Sequence, residues 1–253
     1  KALKKTAQKL KKDLEGLDYK GGNIVAVRVP VKVAQDLFTS KPAEPDQLRV
    51  EMLNLDIVVE KVSKGATEEF NFAKKIAEAL GDMVFAPDLN SSEVDGFLKK
   101  FDEGKPLPGN RFVKFIPLLE SKDDSDGKGI NLFSIQKHDG GSSYTEDVTI
   151  ESSEFWLESL KGSMDSVVQI IDLIDRNKKI MEGYDKMVGE TKKRLIDSDF
   201  FQSDEISFVE KKAVMMQLKQ IQFNSVTSVI RCAWTVSTKA VQLASLVVEA
   251  RTE

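Results

Sequence analysis

The side chains that could do chemistry are few and scattered along the chain. His138 is the only histidine, and it stands beside Asp139 and a pair of glycines. A histidine next to a carboxylate could act as a general base, but the sequence offers no nucleophile that can be assigned to the pair. Phosphate-loop, dinucleotide-binding and zinc-protease motifs are absent from the sequence. We therefore predict that His138 has no catalytic role and that the protein is not an enzyme.

A second candidate site is the aspartate-rich segment 122–129, which contains Asp123, Asp124 and Asp126. Carboxylates in a loop could bind calcium. The segment lacks the acids at alternating positions and the closing bidentate glutamate of a helix-loop-helix calcium site. We predict a solvated loop, with no metal and no cofactor. An enzyme would need this loop and His138 to meet in one pocket.

Cys232 is the only cysteine, which excludes an internal disulfide and a multi-cysteine metal site. It lies among apolar residues at helical spacing, so a buried, unreactive thiol is predicted. The two tryptophans, Trp156 and Trp234, are predicted to pack in the core.

The start of the chain is strongly basic. Residues 1–12 contain six lysines and no acid, whereas the whole chain has a formal net charge of −4. That balance argues against a dedicated nucleic-acid-binding protein. A solvated helix face is the favoured interpretation of the lysines, and a weak contact with nucleic acid or with anionic lipid is the alternative. The lysines are Lys1, Lys4, Lys5, Lys9, Lys11 and Lys12.

The clearest predicted elements of the chain are two long helices at its C-terminal end. They must help to position the side chains named above. Residues 206–248 repeat apolar or small residues every three or four positions, which predicts one long helix capped by Asp204. Residues 157–195 show the same repeat after a cap at Ser152 or Ser153. The connector, residues 198–203, is short and therefore predicts an antiparallel hairpin. The packing seam comprises Leu157, Leu160, Val167, Ile171 and Ile174 from the first arm, and Met216, Phe223, Ile230 and Trp234 from the second.

The second arm carries a further apolar row, from Val214 through Cys232 to Val247. A helix that is apolar on two faces needs two partners. The first arm would supply one of them, and either the N-terminal part of the chain or another subunit would supply the other.

Residues 1–150 are predicted to form a smaller α+β domain ahead of the hairpin domain, residues 151–253. Helices are predicted over residues 1–17, 67–80 (capped by Thr67) and 92–101, and strands over 24–33, 111–119, 130–137 and 144–150. Residues 48–62 fit either element; a helix giving way to a strand is favoured. The predicted fold class is α+β, mostly α.

No secretory signal is evident, and the most apolar window, residues 226–248, contains Arg231 and Lys239. Charges at the centre of a bilayer are costly, so a packed helix is predicted and no membrane contact is expected. A cytoplasmic location follows unless the chain is part of a virion.

The order of elements also suggests a family. A proline-rich turn and strand at residues 107–112 leads to a charged loop and then to two very long closing helices. This arrangement resembles the internal head (inner-body) proteins of large, or jumbo, tailed bacteriophages, over residues 105–253. The resemblance implies a non-enzymatic virion protein in the capsid interior, in contact with other virion proteins or with itself, that could be ejected with the genome into the host cytoplasm.

The resemblance further implies maturation by a prohead protease that cuts after glutamate. Lys1 and Glu253 are then the candidate processing termini, although Arg251 is not the small or apolar residue expected two positions before such a cut. The alternative function is that of a cytoplasmic helical binding module or assembly factor, which the second apolar row of the C-terminal arm would serve equally well.

Overall fold

The structure is a computed structural model, and it describes residues 1–17, 24–39, 41, 43–81, 104–119, 130–137, 144–222 and 225–252. Within these ranges the chain is mostly α-helical, with a few short antiparallel strands, as the predicted fold class requires. The elements in order are α1 (Ala2–Gly16), β1 (Ala26–Val29), α2 (Val31–Leu37), α3 (Pro45–Gly81), β2 (Pro106–Leu107), β3 (Arg111–Leu119), β4 (Ile130–Lys137), β5 (Val148–Glu151), α4 (Glu154–Ile196), α5 (Asp199–Gln202), α6 (Phe208–Gln222) and α7 (Ser225–Thr252).

Helix α4 is the long first arm that the sequence predicts. Ser153 caps it, because its hydroxyl accepts a hydrogen bond from the backbone N–H of Trp156 at 3.4 Å. Glu154 lies in the first turn, while Lys193 and Arg194 lie in the last turn, as the helix dipole favours. The helix has 43 residues and is therefore roughly 65 Å long.

Helix α3 runs without a break from Pro45 to Gly81, so the strand predicted for the end of segment 48–62 is wrong. Thr67 is inside this helix and does not cap a separate one. The reason is that one helical face is buried whereas the alternating residues Leu53 and Ile57 are exposed. The fully buried side chains on that face are Leu48, Met52, Leu55, Val59 and Val62.

The main partner of α4 is α3, and the two helices run parallel. The Ser159 hydroxyl donates to the Pro45 carbonyl, and 18 residues further along both helices Asn177 Nδ2 contacts Ser63 Oγ at 2.5 Å. Small residues line the α4 side of this contact, because Ser159, Ser163 and Ser166 are buried. They let the two backbones approach closely.

Helices α1 and α7 run antiparallel to α4. Lys4 of α1 pairs with Asp172, and Lys11 pairs with Asp165, so α1 lies along α4 in the opposite direction. Arg251 Nε, at the end of α7, donates to Ser152 Oγ just before α4, at 3.0 Å. The arms α4 and α7 are therefore antiparallel, as predicted for the hairpin.

The second arm is described as α6 and α7 on either side of residues 223 and 224, which lie outside the described residues, so its continuity as one helix stays a prediction. Asp204 is not the cap. The chain enters α6 through a capping box in which the Ser207 backbone N–H donates to Glu210 Oε2 at 2.9 Å and Ser207 Oγ accepts from the Glu210 N–H at 3.3 Å. Of the connector, residues 199–202 form the short helix α5.

The strands form two small sheets. β1 pairs antiparallel with β5, and β3 pairs with both β2 and β4. β3 and β4 coincide with the predicted strands 111–119 and 130–137. The predicted strand 24–33 is shorter, because Pro30 ends it and precedes α2, and the predicted strand 144–150 is reduced to β5.

Residue 109 in the turn between β2 and β3 must be glycine. Gly109 has a φ of 73°, and a Cβ atom there would lie 2.5 Å from the Asp36 carbonyl oxygen. The side chain of Arg111 reaches back under this turn, and its Nη2 pairs with Asp36 Oδ1 at 2.5 Å. The turn therefore joins the β2–β3–β4 sheet to α2.

The buried residues form one cluster that includes residues of both predicted domains. The predicted boundary at residue 150 lies inside β5, and the division itself stays a prediction. Helix α7 contacts α1, α2, α3 and α4 as well as β1 and β4. Of the two partners that the sequence left open for the second apolar row, the N-terminal part of the chain is the one found.

Among the described residues, no helix has a stretch that is both long and apolar enough to span a bilayer.

Candidate functional site

The predicted packing seam is only partly buried. Met216 and Trp234 are corrections to the prediction, because 53% and 47% of their surfaces are exposed. Phe223 lies outside the described residues. Ile174 is partly buried against the core. The remaining seam residues are buried: Leu157, Leu160, Val167, Ile171 and Ile230.

The second row faces the core along α6 and α7. In α7 the seam row is largely buried as well, since Thr227, Ile230 and Ser237 are at most 3% exposed, and Trp234 is an exposed exception there. In α6 the seam row is on the outside, because Val209 and Met216 are exposed. The described members of the second row are all buried: Val214, Leu218, Val229, Cys232, Val236, Ala240, Leu243 and Val247.

Helix α6 therefore presents apolar side chains to solvent. Phe208 is 79% exposed and Val209 is 74% exposed, and Ala213 and Met216 follow them on the same side of the helix. We call Phe208, Val209, Ala213 and Met216 the α6 face. Apolar residues at this spacing are typical of a surface that packs on another helix.

The lysines of α1 fall into two groups. Lys4 and Lys11 are neutralised by carboxylates of α4, with N–O distances of 2.7 and 2.8 Å. The other four lysines are exposed and form no ion pair with any residue that the structure describes. We call these four, Lys1, Lys5, Lys9 and Lys12, the lysine row.

Two carboxyl groups of α3 are buried, and sequence reasoning missed both. Glu51 is 2% exposed; its Oε1 accepts hydrogen bonds from Thr39 Oγ1 at 2.9 Å and from Gln47 Nε2 at 3.0 Å. Burial raises the pKa of Glu51 to about 7, although the bonds from Thr39 and Gln47 oppose the shift.

Asp56 is 7% exposed, and neither of its carboxyl oxygens has a hydrogen-bond partner among the described residues. Burial raises its pKa to about 7; the Ser166 hydroxyl of α4 opposes the shift, and the Glu60 carboxylate adds to it. A signal for both groups was present in the sequence, since they lie on the two flanks of the helical arc that Leu48, Met52 and Leu55 define.

An open cleft of about 550 Å³ lies where α3 and α4 begin. Because these helices are parallel, both of their positive ends face it. The acids Glu44, Asp46 and Glu151 line the cleft and offset that positive charge, while the Ser153 hydroxyl is used as a helix cap. The lining residues include neither histidine nor cysteine, so they offer no nucleophile paired with a base.

The remaining candidates for chemistry do not assemble into a site within the described chain. Cys232 is buried, and burial raises its pKa to about 11, which makes the thiol unreactive near neutral pH. His138, Asp139 and the aspartates of segment 122–129 lie outside the described residues, so their predicted lack of a role is not tested. The described ranges contain no group of three metal-binding side chains.

Comparison of the chain with protein-family models, with curated proteins and with solved structures finds no match.

Proposed function

We propose that the protein is a non-enzymatic virion protein of a large tailed bacteriophage, held in the capsid interior and able to enter the host cytoplasm with the genome. In this proposal a prohead protease removes a propeptide during maturation. The partners are other virion proteins or further copies of the chain, together with the packaged nucleic acid. No catalytic residue and no cofactor are assigned.

The observation that carries the proposal is the α6 face on a long helical scaffold. The scaffold is made rigid by the parallel pair α3 and α4 and by two antiparallel helices, α1 and α7, with one shared core. Exposed apolar residues at helical spacing mark a surface for another protein rather than for a small molecule. The order of elements adds the resemblance to inner-body proteins.

The test is the protein content of purified virions. Mass spectrometry of particles treated with protease should detect the chain, because the intact capsid would protect an internal protein. Absence from purified virions would end the proposal.

A second candidate function is a cytoplasmic binding module or assembly factor, and the α6 face favours it equally. The two functions differ in what the protein binds. An assembly factor should form a complex of fixed stoichiometry with one cytoplasmic partner, measurable by light scattering after chromatography, and should be absent from mature particles.

A further inference from the structure

The packing of α1 leaves the lysine row on the side of the helix that faces solvent. The apolar face of α1 is turned into the core, where Ala7, Leu10 and Leu14 are buried against other helices. Lys4 and Lys11 lie at the flanks, where they reach Asp172 and Asp165 of α4. The hydrogen bond that Lys11 donates to the Asp165 carboxylate raises the pKa of Lys11, so this lysine keeps its proton within the pair.

The lysine row has a regular spacing along the outer side of α1. Its members are four, four and three residues apart, which corresponds to about 6, 6 and 4.5 Å along the helix axis. All four side chains are exposed. The neighbouring helix α7 adds little opposing charge, because Glu249 is its only acid.

We propose that the lysine row, Lys1, Lys5, Lys9 and Lys12, is a binding surface for the phosphate backbone of double-stranded nucleic acid, without sequence specificity. A line of lysines binds a line of phosphates by displacing condensed counterions. Residues 2–16 contain no aromatic side chain on which unpaired bases could stack, so a duplex fits better than a single strand.

An anionic membrane is a poorer partner for the same charges. A helix that lies on a bilayer inserts an apolar face between the lipids. In α1 that face is already buried against α4 and α7. The solvent-facing side of α1 is polar, and it can bind phosphate groups that remain hydrated.

This inference deepens the proposed function, since a protein packed beside a genome meets duplex DNA, and it rests on that function only for its biological setting. The net charge of −4 repels DNA over long distances and makes the contact weak and sensitive to salt.

The experiment measures binding of the purified full chain to a fluorescent duplex of about 30 base pairs, by anisotropy, between about 25 and 200 mM salt. The test variant replaces Lys5, Lys9 and Lys12 with glutamine. The control variant replaces three exposed lysines of α4, Lys179, Lys192 and Lys193, with glutamine, which changes the net charge equally. A third variant replaces Lys5, Lys9 and Lys12 with arginine.

We expect the negative slope of log K against log salt to be less steep in the test variant by about 3, since each of the three lost phosphate contacts contributes about 0.9. Affinity at about 50 mM salt should fall roughly tenfold or more in the test variant and less than threefold in the control, and the arginine variant should bind like the original chain. Far-ultraviolet circular dichroism should be the same in all variants, because every replaced side chain is exposed.

Three outcomes would overturn the inference: equal losses in the test and control variants, no duplex binding at the lowest salt, or binding to phosphatidylserine vesicles in preference to DNA. These results are distinguishable from failure of the proposed function. If the chain binds duplex through the lysine row yet is absent from virions, the proposed function fails and this inference stands.

Discussion

At the scale of single residues, the buried carboxyl groups of α3 govern how stability depends on pH. Burial raises the pKa of Asp56 and of Glu51 in the folded state to about 7, from about 4 in the unfolded chain. The folded state therefore holds these protons more tightly. Their stabilising effect is complete below about pH 4 and is lost as the pH rises through 7.

We expect the free energy of unfolding to fall between pH 5 and pH 8, by roughly 2–3 kcal/mol for each of the two groups. Replacing Asp56 with asparagine should remove much of this fall, because an amide has no proton to lose, and should stabilise the protein at pH 8. Urea unfolding followed by circular dichroism measures both effects. The exposed Asp175 gives a control: its asparagine variant should keep the original pH dependence.

The glycines provide a matched pair of substitutions with opposite expected signs. Gly109→Ala should destabilise the protein by about 2 kcal/mol or more, since its φ is 73° and the added Cβ would meet the Asp36 carbonyl. Gly189→Ala, inside α4 about two turns before its end and with no atom near the added Cβ, should stabilise it by about 0.5–1 kcal/mol. Thermal unfolding of the two variants gives the comparison. A neutral Gly109→Ala variant would show that the turn can shift.

At the scale of helices and strands, elements that depend on local sequence were predicted correctly, whereas features that depend on contacts between distant parts of the chain were not. α4, β3 and β4 could be predicted, because capping, charge placement and periodicity are all local. The burial of α6 and α7 could not be predicted, since this arm has two apolar rows and the positions at which each row is covered depend on contacts with distant helices. For the same reason the exposure of Met216 and Trp234 was missed.

The α6 face leads to a prediction at this scale. Changing Val209 and Met216 together to glutamate should leave the free energy of unfolding within about 0.5 kcal/mol, because both side chains are exposed. It should weaken association with the partner protein, measured by incorporation of the chain into particles or by complex formation.

The matching control changes Gln242, an exposed polar residue of α7, to glutamate. It should alter neither stability nor association. If the α6-face variant assembles as well as the original chain, this face is not the contact surface.

At the scale of the whole molecule, the parallel pairing of α3 with α4 could not be predicted at all. The two helices are far apart in sequence, and only the hairpin partner of α4 is suggested by a short connector. Asp56 and Glu51 were missed for a related reason. A carboxylate on the flank of an apolar helical arc is expected to reach solvent, and its burial becomes evident only when the elements that cover it are known.

The single buried cluster predicts that the molecule unfolds as one unit. An isolated fragment 151–253 should lack a cooperative urea transition, because α4 loses α3 and α7 loses α1. Circular dichroism at increasing urea concentrations tests this, with the full chain as the reference. A fragment that unfolds cooperatively would instead support the predicted division into two domains at residue 150.

The parallel pair also has a consequence during synthesis. Ser63 meets Asn177, a residue made 114 positions later. At about 5–20 residues per second, the apolar side of α3 stays uncovered for roughly 6 to 20 s while the ribosome completes α4. The nascent chain should therefore be a substrate for chaperones during this interval, and slower translation of residues 82–153 should increase its aggregation.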